Sequence, residues 1–182
     1  FGDAAGAKRA FSRALDEMGG DRGVVGATML QAASSALVRG DLEGARVALR
    51  KGIDAGAPLE DLVYGALWLM LVEKQRRAAP DGTADEIFES AIGSPSWVGK
   101  LAAWAKGRID DDALVAKAFS ESTRVEASFY VAMGKRASGA PTEESLRKVA
   151  DSPVLDLMEV QIARDILAPR TSYALPKGTK LP

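Results

Sequence analysis

The chain contains no cysteine and no histidine. Without cysteine there is no disulfide framework, no thiolate nucleophile and no zinc–cysteine site. Without histidine the commonest general base near neutral pH is missing, and so is the commonest transition-metal ligand. A triad that needs histidine and an HExxH metal site are both excluded. Serines are scattered, with no GxSxG elbow, and Gly19-Gly20 lacks the Lys-Ser/Thr of a phosphate-binding loop. These exclusions predict a protein that is not an enzyme and that carries no cofactor and no metal. The abundance of Ala, Gly, Arg and Asp suggests high-GC coding.

Long apolar runs are also missing. The longest nearly apolar stretch, Leu62 to Val72, is short of the roughly 20 residues that span a bilayer. It reads as a helix buried on most sides. Charge of one sign is missing too: 24 basic residues face 25 acidic ones. No global field then draws the chain to nucleic acid or an anionic membrane. The start at Phe1, without a basic and then apolar leader, suggests a fragment or a processed form. The compartment stays open between cytoplasm and periplasm.

What is present is a repeated pattern. Gly2-Asp3 precedes Ala7, Phe11, Ala14 and Leu15; Gly40-Asp41 precedes Ala45, Leu49, Gly52 and Ile53; Gly82 precedes Ala84, Phe88, Ala91 and Ile92. The first small residues are spaced by 45 − 7 = 38 and 84 − 45 = 39 positions. Self-similarity at such a period marks a stacked helical array, because one unit cannot bury its apolar face alone. With 182 residues and 47% hydrophobic content, one continuous core is expected.

Apolar spacing and punctuation predict the helices. A stripe of Ala7, Ala10, Phe11, Ala14, Leu15 and Met18 ends at Gly19-Gly20. Helices follow over about 22–39, 42–55 and 59–78, with Met29 filling an irregular gap in the first of them. Thr83 with Glu86, and Thr123 with Glu126, have the spacing of capping boxes. Ser94-Pro95 is expected to open a helix to Lys106. Asp110, Asp111 and Asp112 open another as capping carboxylates, since calcium-loop spacing is absent. Helices over 124–138 and 143–150, the latter capped by Thr142, precede a last one over 154–167 that starts after Ser152-Pro153. In that last helix Leu157, Val160, Ile162 and Ile166 supply apolar cover for the open end of the array, while Glu159 and Asp165 share no clean face. Residues 168–182 read as an extended tail.

The pattern resembles the tetratricopeptide repeat. In that family the second helix of a unit follows Gly-Asp and carries a small residue, an aromatic or Leu, then Ala. Met29 with Ala33, and Trp97 with Leu101, are similar to the first-helix pairs. The stretch from Phe129-Tyr130 to Gly139, followed by Val149 to Glu159, is similar to the last repeat and cap of bacterial tetratricopeptide lipoproteins. The resemblance implies an all-α solenoid of antiparallel helix pairs over 1–167, about four repeats plus a C-terminal capping helix. It implies a concave groove lined by first helices, with Leu30, Ser34, Leu37, Trp68, Val72, Arg76, Val98, Phe129, Met133 and Arg136 facing a partner peptide.

Three functions are weighed. The first is a scaffold that holds a partner peptide or helix in the groove, apolar anchors desolvating it and guanidinium groups clamping its carboxylates. Lys74, Arg76 and Arg77 suit an acidic peptide or a C-terminal carboxylate, and equally suit a helix end. Trp68 and Phe129 equally suit a core. The second is a regulatory or sensor domain of a larger kinase, protease or secretion component. The third is an enzyme that works with carboxylates alone, though no carboxylate pair stands out in the sequence.

Overall fold

The Gly-Asp step of the repeat is where one helix stops and the next starts. In the computed structural model, which describes residues 21–168 together with Gly6, Arg9 and Arg13, α1 spans Arg22–Arg39 and α2 spans Leu42–Asp54. Gly40 adopts the left-handed conformation at φ 63°, which glycine reaches without a Cβ clash. The Asp41 N–H then donates to the Ala36 carbonyl at 2.8 Å, and its carboxylate accepts from the Gly44 N–H at 2.9 Å. Glycine satisfies the end of α1 and aspartate the start of α2. The unit expected over Gly2 to Leu15, its stop at Gly19-Gly20 and the tail beyond Ala168 lie outside the described residues.

Seven more helices follow among the described residues: α3 Leu59–Arg76, α4 Thr83–Ala91, α5 Trp97–Ala105, α6 Asp111–Ala116, α7 Glu121–Ala137, α8 Glu143–Ala150 and α9 Met158–Leu167. No strand occurs among these residues, so the all-α expectation holds. No helix here is long and apolar enough to cross a membrane.

Several helix starts differ from the sequence expectation, each for a local reason. Thr83 does not cap α4; it is the first helical residue, and its N–H donates to Asp81 at 3.1 Å. The Thr123–Glu126 box is displaced by three residues: Ser120 caps α7 and Thr123 reciprocates from inside the helix. Glu126 is thereby released from capping and faces the core. α5 begins at Trp97 instead of Pro95, because Ser94 accepts from the Ser96 N–H at 3.2 Å and holds a turn. The Ser152 hydroxyl likewise accepts from Val154 at 3.2 Å, and α9 waits until Met158. Asp110 caps α6 as expected, accepting from Ala113 at 2.8 Å.

Small residues set how closely the helices approach. Met29 of α1 lies between Gly52 of α2 and Gly65 of α3: a Cβ on Gly52 would sit 2.3 Å from its sulfur, and one on Gly65 3.3 Å from its methyl. α2 packs on both α1 and α3, α4 on α3, and α8 on both α7 and α9. Beneath these outer helices an inner ring closes: α1 meets α3, α3 meets α7, α7 meets α9, and α9 returns to α1. Tyr64 pairs with Glu126 and Trp68 with Tyr130, both 62 positions apart, so α3 and α7 run the same way in constant register. The last helix thus covers the first described one, with Val160 and Ile162 buried in the seam.

Candidate functional site

The interior of the ring contains two carboxylic acids. Glu126 is 6% exposed and Glu159 4%, among side chains that are otherwise almost all apolar. Aromatic donors from neighbouring helices hold both. Glu126 Oε2 accepts from the Tyr64 hydroxyl and from the Trp97 indole, each at 2.8 Å. Glu159 Oε1 accepts from the Tyr130 hydroxyl at 2.7 Å, and that hydroxyl accepts from the Trp68 indole at 3.1 Å. α3, α5, α7 and α9 are therefore tied by two adjacent hydrogen-bonded clusters inside an apolar core, where each donor and acceptor needs a partner.

Both acids resist ionisation. Burial lifts the Glu159 carboxyl to about 7, and the negative charge of Glu126 adds to the lift; the Tyr130 hydrogen bond opposes it. Burial also raises Glu126, against the hydrogen bonds from Trp97 and Tyr64. Burial, and then the charge of Glu159, pushes the Tyr130 phenol well above its usual range. No lysine or arginine forms an ion pair with either acid among the described residues.

A cavity of about 210 Å³ opens on these clusters at the N-terminal ends of α3 and α9. Its wall combines Tyr64, Trp68, Leu30, Leu157 and Met158 with the carboxylates of Glu60, Asp61, Glu126, Asp156 and Glu159. Asp61 fits only because α1 has Gly26 opposite, where a Cβ would lie 1.8 Å from the carboxylate. No group of three or more His, Cys, Asp or Glu is arranged to hold a metal ion among the described residues.

The opposite end of the ring has the other sign. A cleft of about 820 Å³ is lined by Arg39, Arg76 and Arg136, over Leu37, Val38 and Ile166, with Glu143 and Asp165 beside them. Arg76 Nε donates to the Gly40 carbonyl at 2.7 Å, and Arg39 bonds the Ser35 hydroxyl. Arg136 stands 3.5 Å from Glu143. Arg39 and Arg76 form no salt bridge among the described residues. Arginines gathered where α1, α3 and α7 end also oppose the helix dipoles.

The residues expected on a groove divide between these places. Trp68, Val72, Phe129 and Met133 are buried to 1% exposure or less, Leu37 is 2% exposed and Val98 8%. They pack the ring, and Trp68 and Leu37 also reach the edge of a cavity or cleft. Leu30 is half-buried beside Trp68 at the acidic cavity. Ser34 is 6% exposed and faces the seam with α9. Arg76 and Arg136 come together at the basic cleft, whereas Lys74 lines a neighbouring cleft with Trp104 and Lys135.

Spacing alone places Glu126 at a capping position and leaves Glu159 without a partner on its own helix face, so neither stands out in the sequence. The available signal was their company: acidic residues one helical turn from Tyr130, or between Met158 and Val160 in an apolar stripe. No protein-family model, no curated protein and no solved structure matches this chain.

Proposed function

We propose that the chain is a protein-interaction module of the tetratricopeptide kind, its helix hairpins stacked in series and curled until the capping helix meets the first. Its ligand is an acidic segment of a partner protein, held across the cleft at the C-terminal ends of the inner helices. The observation that carries this reading is the convergence of Arg39, Arg76 and Arg136 on one open cleft, two of them without a carboxylate partner among the described residues. Guanidinium forks suit carboxylates in pairs, and the apolar floor of Leu37, Val38 and Ile166 suits the side chains between them.

The test is fluorescence polarisation with a labelled hexaglutamate peptide, at low and at physiological salt. Replacing Arg39, Arg76 and Arg136 together by Gln is expected to weaken binding by about tenfold or more. An equally charged hexalysine peptide should not bind this cleft. If the triple variant binds hexaglutamate as the parent does, the cleft is not the recognition surface.

A further inference from the structure

At the other end of the molecule the chemistry is inverted, and it stands independently of the arginine cleft. Glu126 and Glu159 each spend one oxygen on aromatic donors. Glu126 Oε1 accepts from no other residue among those described, while Glu159 takes, besides Tyr130, only its own backbone N–H; both side chains line the cavity. Two side chains more than nine-tenths buried thus bring carboxyl groups to one opening, and on Glu126 one oxygen has no donor from the chain among the described residues. A buried carboxylate without a cation is the costly half of an ion pair. The wall has no basic residue, so the chain does not provide the other half there.

The rest of the wall narrows what fits. Leu30, Leu157 and Met158 are apolar and would cover a short alkyl stem, while Tyr64 and Trp68 bring aromatic surface to the charged end. At about 210 Å³ the cavity is below the roughly 300–1,000 Å³ of sites for drug-sized ligands, and matches one side chain or a small amine. A bare divalent ion would need several oxygens in a cage, and no such cluster exists among the described residues. We propose that this cavity is a binding site for a primary alkylammonium group, its charge set against Glu126 and Glu159 and its stem against Leu30, Leu157 and Met158. The amine belongs either to a small molecule or to a lysine side chain of a partner, and the two share this chemistry.

The experiment titrates the full chain with butylammonium chloride at constant ionic strength, set by NaCl, and follows intrinsic fluorescence. Trp68 and Trp97 donate into the two clusters and report their disturbance. A saturable change is expected with butylammonium and none with 1-butanol. Glu126→Gln and Glu159→Gln keep the acceptor for the aromatic donors and remove the charge; each should weaken binding by about tenfold or more. Asp156→Asn, at the exposed rim, is a second variant that does not touch the core and should weaken it less. Binding should tighten from pH 5.5 to 8 as Glu159 loses its proton, with Glu126, raised by burial, acting in the same direction; Glu60, Asp61 and Asp156 face the same cavity, and Tyr64 and Tyr130, both raised by burial, stay neutral throughout. A blocked lysine, N-acetyl-lysine methylamide, run in parallel separates the sources: tighter binding than butylammonium marks a partner's side chain, weaker binding a free amine. An equal response to 1-butanol, unchanged affinity in both glutamine variants, or displacement of butylammonium by equimolar Mg²⁺ would each overturn the assignment.

Discussion

Tyr130 donates its phenolic hydrogen to Glu159 at 2.7 Å inside a core where the tyrosine is fully buried and the acid nearly so. The direction of that bond is fixed from the other side, because the Trp68 indole can only donate and occupies an acceptor position of the same hydroxyl. Glu159 therefore faces neutral donors in place of a cation, and its charge is expensive.

The first prediction concerns pH. The Glu159 carboxyl titrates at about 7 in the folded chain, against a value of 4.5 for an unperturbed glutamate. Between those values the folded state holds a proton that the unfolded state has lost, so stability falls as pH rises. The stabilisation is fully present below 4.5 and gone above about 7. The lift corresponds to on the order of 3 kcal/mol. Urea denaturation from pH 4.5 to 8 should show this decline, with Glu126 acting in the same direction. Glu159→Gln should remove most of it; a flat profile in the parent chain would contradict the burial argument.

Gly52 is predicted to reject alanine. The added methyl would meet the Met29 sulfur at 2.3 Å, and α2 must shift or Met29 must leave its rotamer. Overpacking of this kind costs about 1–3 kcal/mol. Shortening Met29 to Ala alone leaves a cavity costing about 2–5 kcal/mol. The double variant should cost less than the sum of the two, because each change removes the other's problem. Additive melts would place the sulfur elsewhere.

Arg77 is predicted to welcome glycine. It closes α3 in the left-handed conformation at φ 51°, the only non-glycine residue with positive φ among those described. That conformation costs an L-residue roughly 1–2 kcal/mol. Arg77→Gly should raise stability by about 1 kcal/mol, less some loss to unfolded-chain entropy. Thermal unfolding checks it, and a lowered midpoint would count against the cap geometry.

Trp68→Ala and Phe129→Ala are each expected to cost about 3–5 kcal/mol, the range for buried aromatic residues. The physical basis is their 1% and 0% exposure and, for Trp68, the broken bond to Tyr130. A variant that keeps its stability and loses only a ligand would show the side chain on a surface instead.

Much of the fold was legible residue by residue. The helix expected over about 22–39 spans Arg22–Arg39, where Asp21 and Gly40 cap its ends, and Gly40-Asp41 carries its own capping chemistry. Boundaries failed where a serine hydroxyl offered the backbone a competing turn, as at Ser94 and Ser152. The site was legible in part. Arg76 and Arg136 were named and do share a cleft; Trp68 was named and does touch the cavity that Leu30 lines. Glu126 and Glu159 were not recognised, since a glutamate near a helix start has the same spacing whether it caps a backbone N–H or turns inward.

Periodicity and end-capping act over a few residues, so the order of amino acids sufficed for the helices and for their apolar sides. Which side meets which is a different matter. Trp97 finds Glu126, Tyr130 finds Glu159 and Tyr64 finds Glu126 across 29 to 62 positions of chain. An apolar stripe specifies that it must be covered without specifying by what; the return of α9 onto α1 made that choice, and with it enclosed two acids whose charge the sequence left looking ordinary.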